Sequence, residues 1–259
     1  MKKFFGKILA LALVLSLAIS VVNIVPASAE EFSDPVPTSL DYEPIYWHKV
    51  TSDKSKTFTG AAGNSLIVNC YATRIVLTGF QKSLAKINKT LKKACNAFLN
   101  DSQCEDIFVY AQEAVNEGLV DKDIYHNFVE MDVTYCGSKY ISIYGENQWY
   151  AGGVGNHIGT GFVFDLETGK QKNITTVSGL SLKKIKSLFI KAVKESEEFK
   201  DYYDDFKEGI EAYINALTAK DIDFIIDEVG QISVLIPPYT EGFFGGWTRE
   251  FPLDGVMVK

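Results

Sequence analysis

The sequence predicts an α+β fold in which antiparallel sheet hairpins pack against pairs of helices. Three observations carry this expectation. Segments rich in β-branched and aromatic residues arrive in hairpin groups. Two helix pairs with apolar spacings of three and four interrupt them. Strands and helices do not alternate one for one, as a doubly wound parallel sheet would require.

Taken in order, Lys2, Lys3 and Lys7 precede an apolar run from Ile8 to Val25, and Pro26 leads into Ala27-Ser28-Ala29 with Glu30 and Glu31 behind. This is the layout of a secretory signal peptide over residues 1–29. The competing reading is an uncleaved membrane anchor, since the run exceeds the usual h-region of roughly 7–15 residues and nears the ~20 that span a bilayer. Asn23, Pro26 and the small-x-small site favour release. Either way the remainder is expected outside the cytoplasm, with no cytosolic domain before the apolar run. Residues 30–54 read as a linker or leader strand.

Segment 64–78 is β-branched and ends at Gly79, a strand. Phe80, Leu84, Ile87, Leu91, Ala94, Cys95 and Phe98 then form one helical stripe, with Lys82, Lys86, Lys89 and Lys92 on the other side. Asp101 or Ser102 is suited to cap a second helix carrying Ile107, Phe108, Ala111 and Val115. Val129, Met131, Val133 and Tyr135 alternate as a strand, Gly137-Ser138 turn, and 140–144 runs back. Segment 148–166 continues as aromatic, glycine-rich strand, and Glu167-Thr168-Gly169-Lys170 reads as a further hairpin. Helices are expected over 181–198 and 201–218, the second with Phe206, Ile210, Tyr213, Ile214 and Leu217 on one stripe. A hairpin around Glu228-Val229-Gly230 joins 224–227 to 232–236, and a tail loop over 237–252 leads to a last strand near 256–258.

The chain has a net charge of −7, and loss of the three signal lysines would bring it to −10. Such a surface argues against nucleic acid, whose affinity rests on cations neutralising phosphates, and suits a cationic partner. Four cysteines are present, and export would permit disulfides. Of the three connectivities, Cys95–Cys104 is favoured as a tie across a short loop between two helices, leaving Cys70–Cys136 to link two strands.

Signatures of chemistry are sparse. The stretch from Trp149 to Gly161 is glycine-rich, but it has no Lys-Ser/Thr for a P-loop, and Ile158 stands where a dinucleotide fold needs its third glycine. No nucleotide or other cofactor is expected. Gly152 and Gly153 read instead as a sharp bend allowing close approach by a backbone or ligand. His157 is the best polar candidate in that bend. His48 and His126 form no metal-binding spacing with it, so no metal is expected. Serine-hydrolase elbows are absent. Acids such as Asp201, Asp204, Asp205, Glu208, Asp221, Asp223, Asp227 and Glu228 read as solvated faces. The loop from Pro237 to Arg249 gathers Pro238, Tyr239, Trp247 and Arg249, the residue types that anchor binding surfaces.

Several of these motifs, in order, carry a resemblance. Val133-Thr134-Tyr135, Tyr140-Ile141-Ser142, Trp149-Tyr150-Ala151-Gly152-Gly153, Phe164-Asp165-Leu166-Glu167-Thr168-Gly169-Lys170, and Val234-Leu235-Ile236-Pro237-Pro238-Tyr239 with Gly242 follow one another along residues 133–242, within a resemblance that covers about 55–258. This order resembles the domain pair in the extracytoplasmic region of RsiV-type anti-sigma factors, which also accompanies the catalytic domain of PdaC-type peptidoglycan deacetylases. The resemblance implies a PdaC-like subdomain over 55–146, an RsiV-like one over 147–259, an α+β fold and an envelope location. In the anti-sigma member the domain is a receptor for lysozyme, a cationic protein. Here Val154-Gly155-Asn156 intervene before His157, where family members usually place histidine directly after the paired glycines. A second proline-tyrosine pair is replaced by Phe243-Phe244-Gly245-Gly246-Trp247. The short N-terminus argues against anti-sigma activity, and no deacetylase catalytic domain is expected.

The expected function is therefore an extracellular binding or sensing domain without its own catalysis. Its ligand would be a protein or a wall polymer, met through Tyr150, Gly152, Gly153, His157, Pro238, Tyr239, Trp247 and Arg249. Contact with a membrane is expected only through an uncleaved signal. The alternative is a secreted hydrolase of wall glycans or peptides using His157 with a carboxylate such as Asp165.

Overall fold

A computed structural model describes residues 44–118, 125–243 and 245–259. The predicted signal segment, the first part of the predicted linker, and Phe244 lie outside the described residues. Among the described residues no helix is long and apolar enough to cross a membrane.

The fold is α+β, as expected. The first sheet contains β1 (Tyr46–Asp53), β2 (Lys56–Thr59), β3 (Ser65–Thr78), β4 (Tyr125–Cys136), β5 (Tyr140–Ala151) and β6 (Val154–Asp165). Its order is β1-β3-β4-β5-β6, with β2 also paired to β3. Helices α1 (Leu84–Leu99) and α2 (Ser102–Asn116) lie between β3 and β4 in the chain. That excursion returns the chain in its original direction, so β3 and β4 pair in parallel. All other strand pairs are antiparallel. Short α3 (Ile174–Ser178) precedes α4 (Leu182–Glu195) and α5 (Tyr203–Ala216). A second sheet follows, β7 (Asp223–Ile226), β8 (Gln231–Ile236) and β9 (Arg249–Met257), in that order.

Two cores explain why these segments fold. In the first, Leu66, Val68, Met131, Ile141, Ile143 and Phe164 on one sheet face meet Ile87 and Leu91 of α1 and Ile107 of α2. Asp101 caps α2 by accepting from the backbone N–H of Gln103, which satisfies one of the donors a helix start leaves open. In the second, Tyr140 and Val163 on the opposite face of β5 and β6 meet Phe189 of α4, Ile210 of α5, and Ile226, Val234 and Phe251 of the second sheet. One strand pair thus serves both cores, and the expected subdomain boundary at 146/147 falls inside β5.

The described part of the segment read as a linker or leader strand contains β1, an edge strand whose side chains alternate only between half-buried and exposed from His48 on. β2 begins just beyond it. Phe80 is 80% exposed and lies outside α1, which starts later, so it is not part of the apolar stripe. The turn after Asp165 closes as expected, with Gly169 N–H donating to the Asp165 carbonyl. Only a single bridge, Phe164 to Gln171, follows it in place of a hairpin.

Neither expected pairing, Cys95–Cys104 or Cys70–Cys136, is formed: the four cysteines are free thiols in this structure. Cys104 faces Cys70, sulfur to sulfur at 3.1 Å, instead of Cys95. Cys95 sits on the buried stripe of α1, and Cys136 is the last residue of β4 and is buried. Sequence proximity of Cys95 and Cys104 is a poor guide because the helices that carry them each turn their apolar stripe to the sheet.

Candidate functional site

The glycines expected to form a bend make the tip of a two-residue hairpin between β5 and β6. Both have positive φ, 61° at Gly152 and 105° at Gly153, the backbone that a type I′ turn demands and that only glycine adopts at little cost. Open space surrounds the Cβ position of Gly153. His157 is not in the bend. It lies in β6, opposite Gln148 of β5.

The tail loop joins the hairpin at that histidine. The backbone N–H of His157 donates to the Gly246 carbonyl at 2.7 Å, and Thr248 N–H donates to the His157 carbonyl at 2.8 Å. Thr248 Oγ1 accepts from Gly159 N–H at 2.7 Å. The two segments singled out separately in the sequence are therefore one surface. Within the loop, Phe243 is the anchor, buried against Phe199, Tyr213 and Phe251. Tyr239 is 66% exposed and Trp247 is 53% exposed. Tyr239 holds φ of 59°, the one non-glycine residue with positive φ among the described residues, a conformation unfavourable for a side chain of this size. Pro238, half-buried, leads into it from the end of β8.

Arg249 lies behind the exposed rings. It is buried, Nε donates to Glu198 Oε1 at 2.6 Å, and its guanidinium lies 5.4 Å from the Phe199 ring centre and 5.2 Å from that of Trp247. Cation–π attraction of this kind steadies the exposed indole from behind.

On the sheet face beside the tip stands a row that sequence reading missed. Tyr150 stacks on His126 at 5.7 Å between ring centres, His126 meets Phe128 at 5.3 Å, and Phe128 stacks on Tyr71 at 4.9 Å with parallel planes. They are neighbours because the register places His126 opposite Tyr150 and Tyr71 opposite Phe128. The ring of Tyr150 also covers Gly155, whose absent Cβ would lie 2.7 Å from Tyr150 Cδ2. Acids flank the row. Glu130 and Glu146 sit directly opposite each other on β4 and β5. Glu130 accepts from the Tyr71 hydroxyl at 3.1 Å. Glu146 lies 3.5 Å from His157 Nδ1 and accepts from Gln148 Nε2 at 3.1 Å. Burial and the Glu130 charge push the Tyr71 phenol above its ordinary range.

The hydrolase pairing of His157 with Asp165 does not form. The two residues lie eight positions apart on β6, roughly 26 Å at strand rise, and Asp165 is spent on Thr168 and Lys172. No hydroxyl or thiol hydrogen-bonds the His157 or Glu146 side chain among the described residues. No cluster of three or more potential metal ligands occurs among them either.

No family model matches the sequence, and no characterised protein matches it in sequence. Among solved structures the fold is similar to that of a DUF3298 family member from Bacteroides fragilis, with 13% identity, 82% of this chain and 94% of that chain covered, and a TM-score of 0.50. A DUF3298 family protein from Pseudomonas aeruginosa also aligns, at 10% identity over 81% of this chain and 94% of that one, with a TM-score of 0.45.

Proposed function

We propose that this chain is a binding or sensing domain of the cell envelope, working outside the cytoplasm, that engages a cationic protein and carries no catalysis of its own. The observation that supports it best is the convergence of exposed Tyr239 and Trp247 with an acid pair, Glu130 and Glu146, beside an aromatic row. Like charges directly across a strand pair cost stability, a cost that a bound cation would relieve. Exposed Tyr and Trp are the anchors that dominate binding energy at protein interfaces. The negative charge of the chain would speed encounter with a basic ligand. A wall polymer is the second ligand class, but Tyr71 and Phe128 already spend one ring face each on their mutual stack, and the acid pair favours a cationic ligand over a neutral sugar. The resemblance to RsiV-type receptors points the same way.

The test uses lysozyme as a basic probe, cytochrome c as a basic control of unrelated shape, and sedimentation with purified peptidoglycan. We expect saturable retention of lysozyme that falls by roughly tenfold or more in a Tyr239→Ala/Trp247→Ala variant with an unchanged far-UV spectrum. Unaltered retention in that variant, or equal retention of cytochrome c, would reject this surface as the site.

A further inference from the structure

We propose that Cys70 and Cys104 are an oxidisable pair that closes into a disulfide tying the middle of β3 to the first turn of α2, while Cys95 and Cys136 stay reduced. The Cys70 thiol donates to Cys104 Sγ at 3.1 Å, and both side chains are fully buried. Each partner is held by its own backbone. Cys70 sits where the edge passes from β1 to β2: its carbonyl accepts from Lys54 N–H at 2.7 Å, and its N–H donates to Ser55 Oγ at 3.1 Å. Cys104 is the third residue of α2, behind the Asp101 cap. Docking α2 on the sheet therefore delivers the two sulfurs to one another.

The surroundings that form as α2 docks also distinguish the two sulfurs. Cys104 Sγ receives the Cys70 thiol and, at 3.3 Å, the Asn127 side-chain amide. Asn127 is fixed in turn by Asn147 Nδ2 at 2.9 Å. Cys104 also lies at a helix N-terminus, which favours a thiolate. The Cys70 contact, followed by the Lys54 charge, holds the Cys104 thiol below its ordinary range against burial, and the same contact with burial pushes Cys70 up. By contrast, burial pushes Cys95 and Cys136 each up to about 11, and neither has a partner sulfur among the described residues.

The oxidant is an exchangeable disulfide, either that of a thiol–disulfide oxidoreductase or oxidised glutathione. The Cys104 thiolate attacks one of its sulfurs, breaks the oxidant's S–S bond and forms a mixed disulfide, releasing one thiolate. Cys70, deprotonated by that leaving thiolate, attacks the Cys104 sulfur and releases the second. Two cysteine thiols are oxidised, one disulfide is reduced, and the two protons of the pair end on the two released thiols. Because both sulfurs are buried once folded, exchange belongs to the stage at which α2 is docking, and the same packing then shields the closed bond.

The full chain refolded from urea in a glutathione redox buffer, alkylated under denaturing conditions and digested without reduction, tests this by mass spectrometry. Expected are one cross-linked peptide pair joining Cys70 to Cys104, and alkylated Cys95 and Cys136. Four alkylated cysteines, or a link through Cys95 or Cys136, would overturn the proposal. A Cys95→Ser/Cys136→Ser variant serves as the control: the link should persist there, and its loss would equally overturn the pairing.

Discussion

Replacing Asp223 with asparagine isolates the electrostatic cost of joining the second sheet to the first. Asp223 opens β7 and its Oδ1 accepts two backbone N–H groups, Gly161 of β6 at 3.0 Å and its neighbour Phe224 at 2.9 Å. Gly161 is required there, because a Cβ would fall onto the Phe224 carbonyl oxygen. Burial pushes the Asp223 carboxyl from its ordinary 3.8 up to about 6, and the two N–H donors only partly oppose it. The folded state therefore prefers the protonated form. The stabilising contribution is full below the unfolded value near 3.8 and is lost as pH rises through about 6. At neutral pH the folded chain carries a half-buried charge whose cost, from 1.36 kcal/mol per pH decade, is at most roughly 3 kcal/mol. The amide of the Asp223→Asn variant would retain the Oδ1 acceptor for both donors without the charge. Urea unfolding followed by tryptophan fluorescence across a pH series is the assay, because the other titrating groups are common to both chains and cancel in the difference. The Asp223→Asn chain should be the more stable by roughly 2–3 kcal/mol near neutrality, with the advantage shrinking towards zero as pH falls to about 4. A difference independent of pH, or an asparagine variant less stable at neutral pH, would refute the reasoning.

Two further outcomes separate the loop's anchor from its exposed residues. Phe243→Ala empties the aromatic pocket formed with Phe199, Tyr213 and Phe251 and should cost about 3–5 kcal/mol of unfolding free energy, with lysozyme retention weakened alongside. Tyr239→Gly removes an exposed ring while relieving a left-handed backbone, so unfolding should show a gain of about 1 kcal/mol while retention falls as it does in the alanine variant. A loss of stability in the glycine variant would mean that the Tyr239 ring supports the loop more than it serves a ligand.

Much of the fold was legible because its elements carry their own period. The stripe of Leu84, Ile87, Leu91 and Cys95, the Asp101 cap, and the alternation of Val129 and Met131 each report one face buried, which local sequence encodes directly. β1 was legible only as a linker or leader strand, since an edge strand without a buried side-chain stripe owes its order to the β3 ladder rather than to an apolar pattern of its own. The parallel β3–β4 pair, the sharing of β5 and β6 between two cores, and the meeting of Cys70 with Cys104 are all tertiary facts. Sequence distance is no guide to any of them.

The same logic explains the candidate site. Tyr150, His157, Tyr239 and Trp247 could be singled out by residue type, but Tyr71, His126 and Phe128 join them only once register is fixed, because cross-strand neighbours depend on which residues of β3, β4 and β5 face one another. The surroundings of Arg249 were not legible for a complementary reason: residue type marks it as an anchor, whereas its ion pair with Glu198 and its place behind Trp247 are set by tertiary packing. One face of the β5–β6 hairpin is occupied by the second core at Tyr140 and Val163 and left uncovered at Tyr150 and His157. The covered half makes the hairpin rigid enough to hold the tail loop by backbone hydrogen bonds at His157. A ligand meeting the uncovered half would then encounter side chains already in position, which lowers the ordering cost of binding.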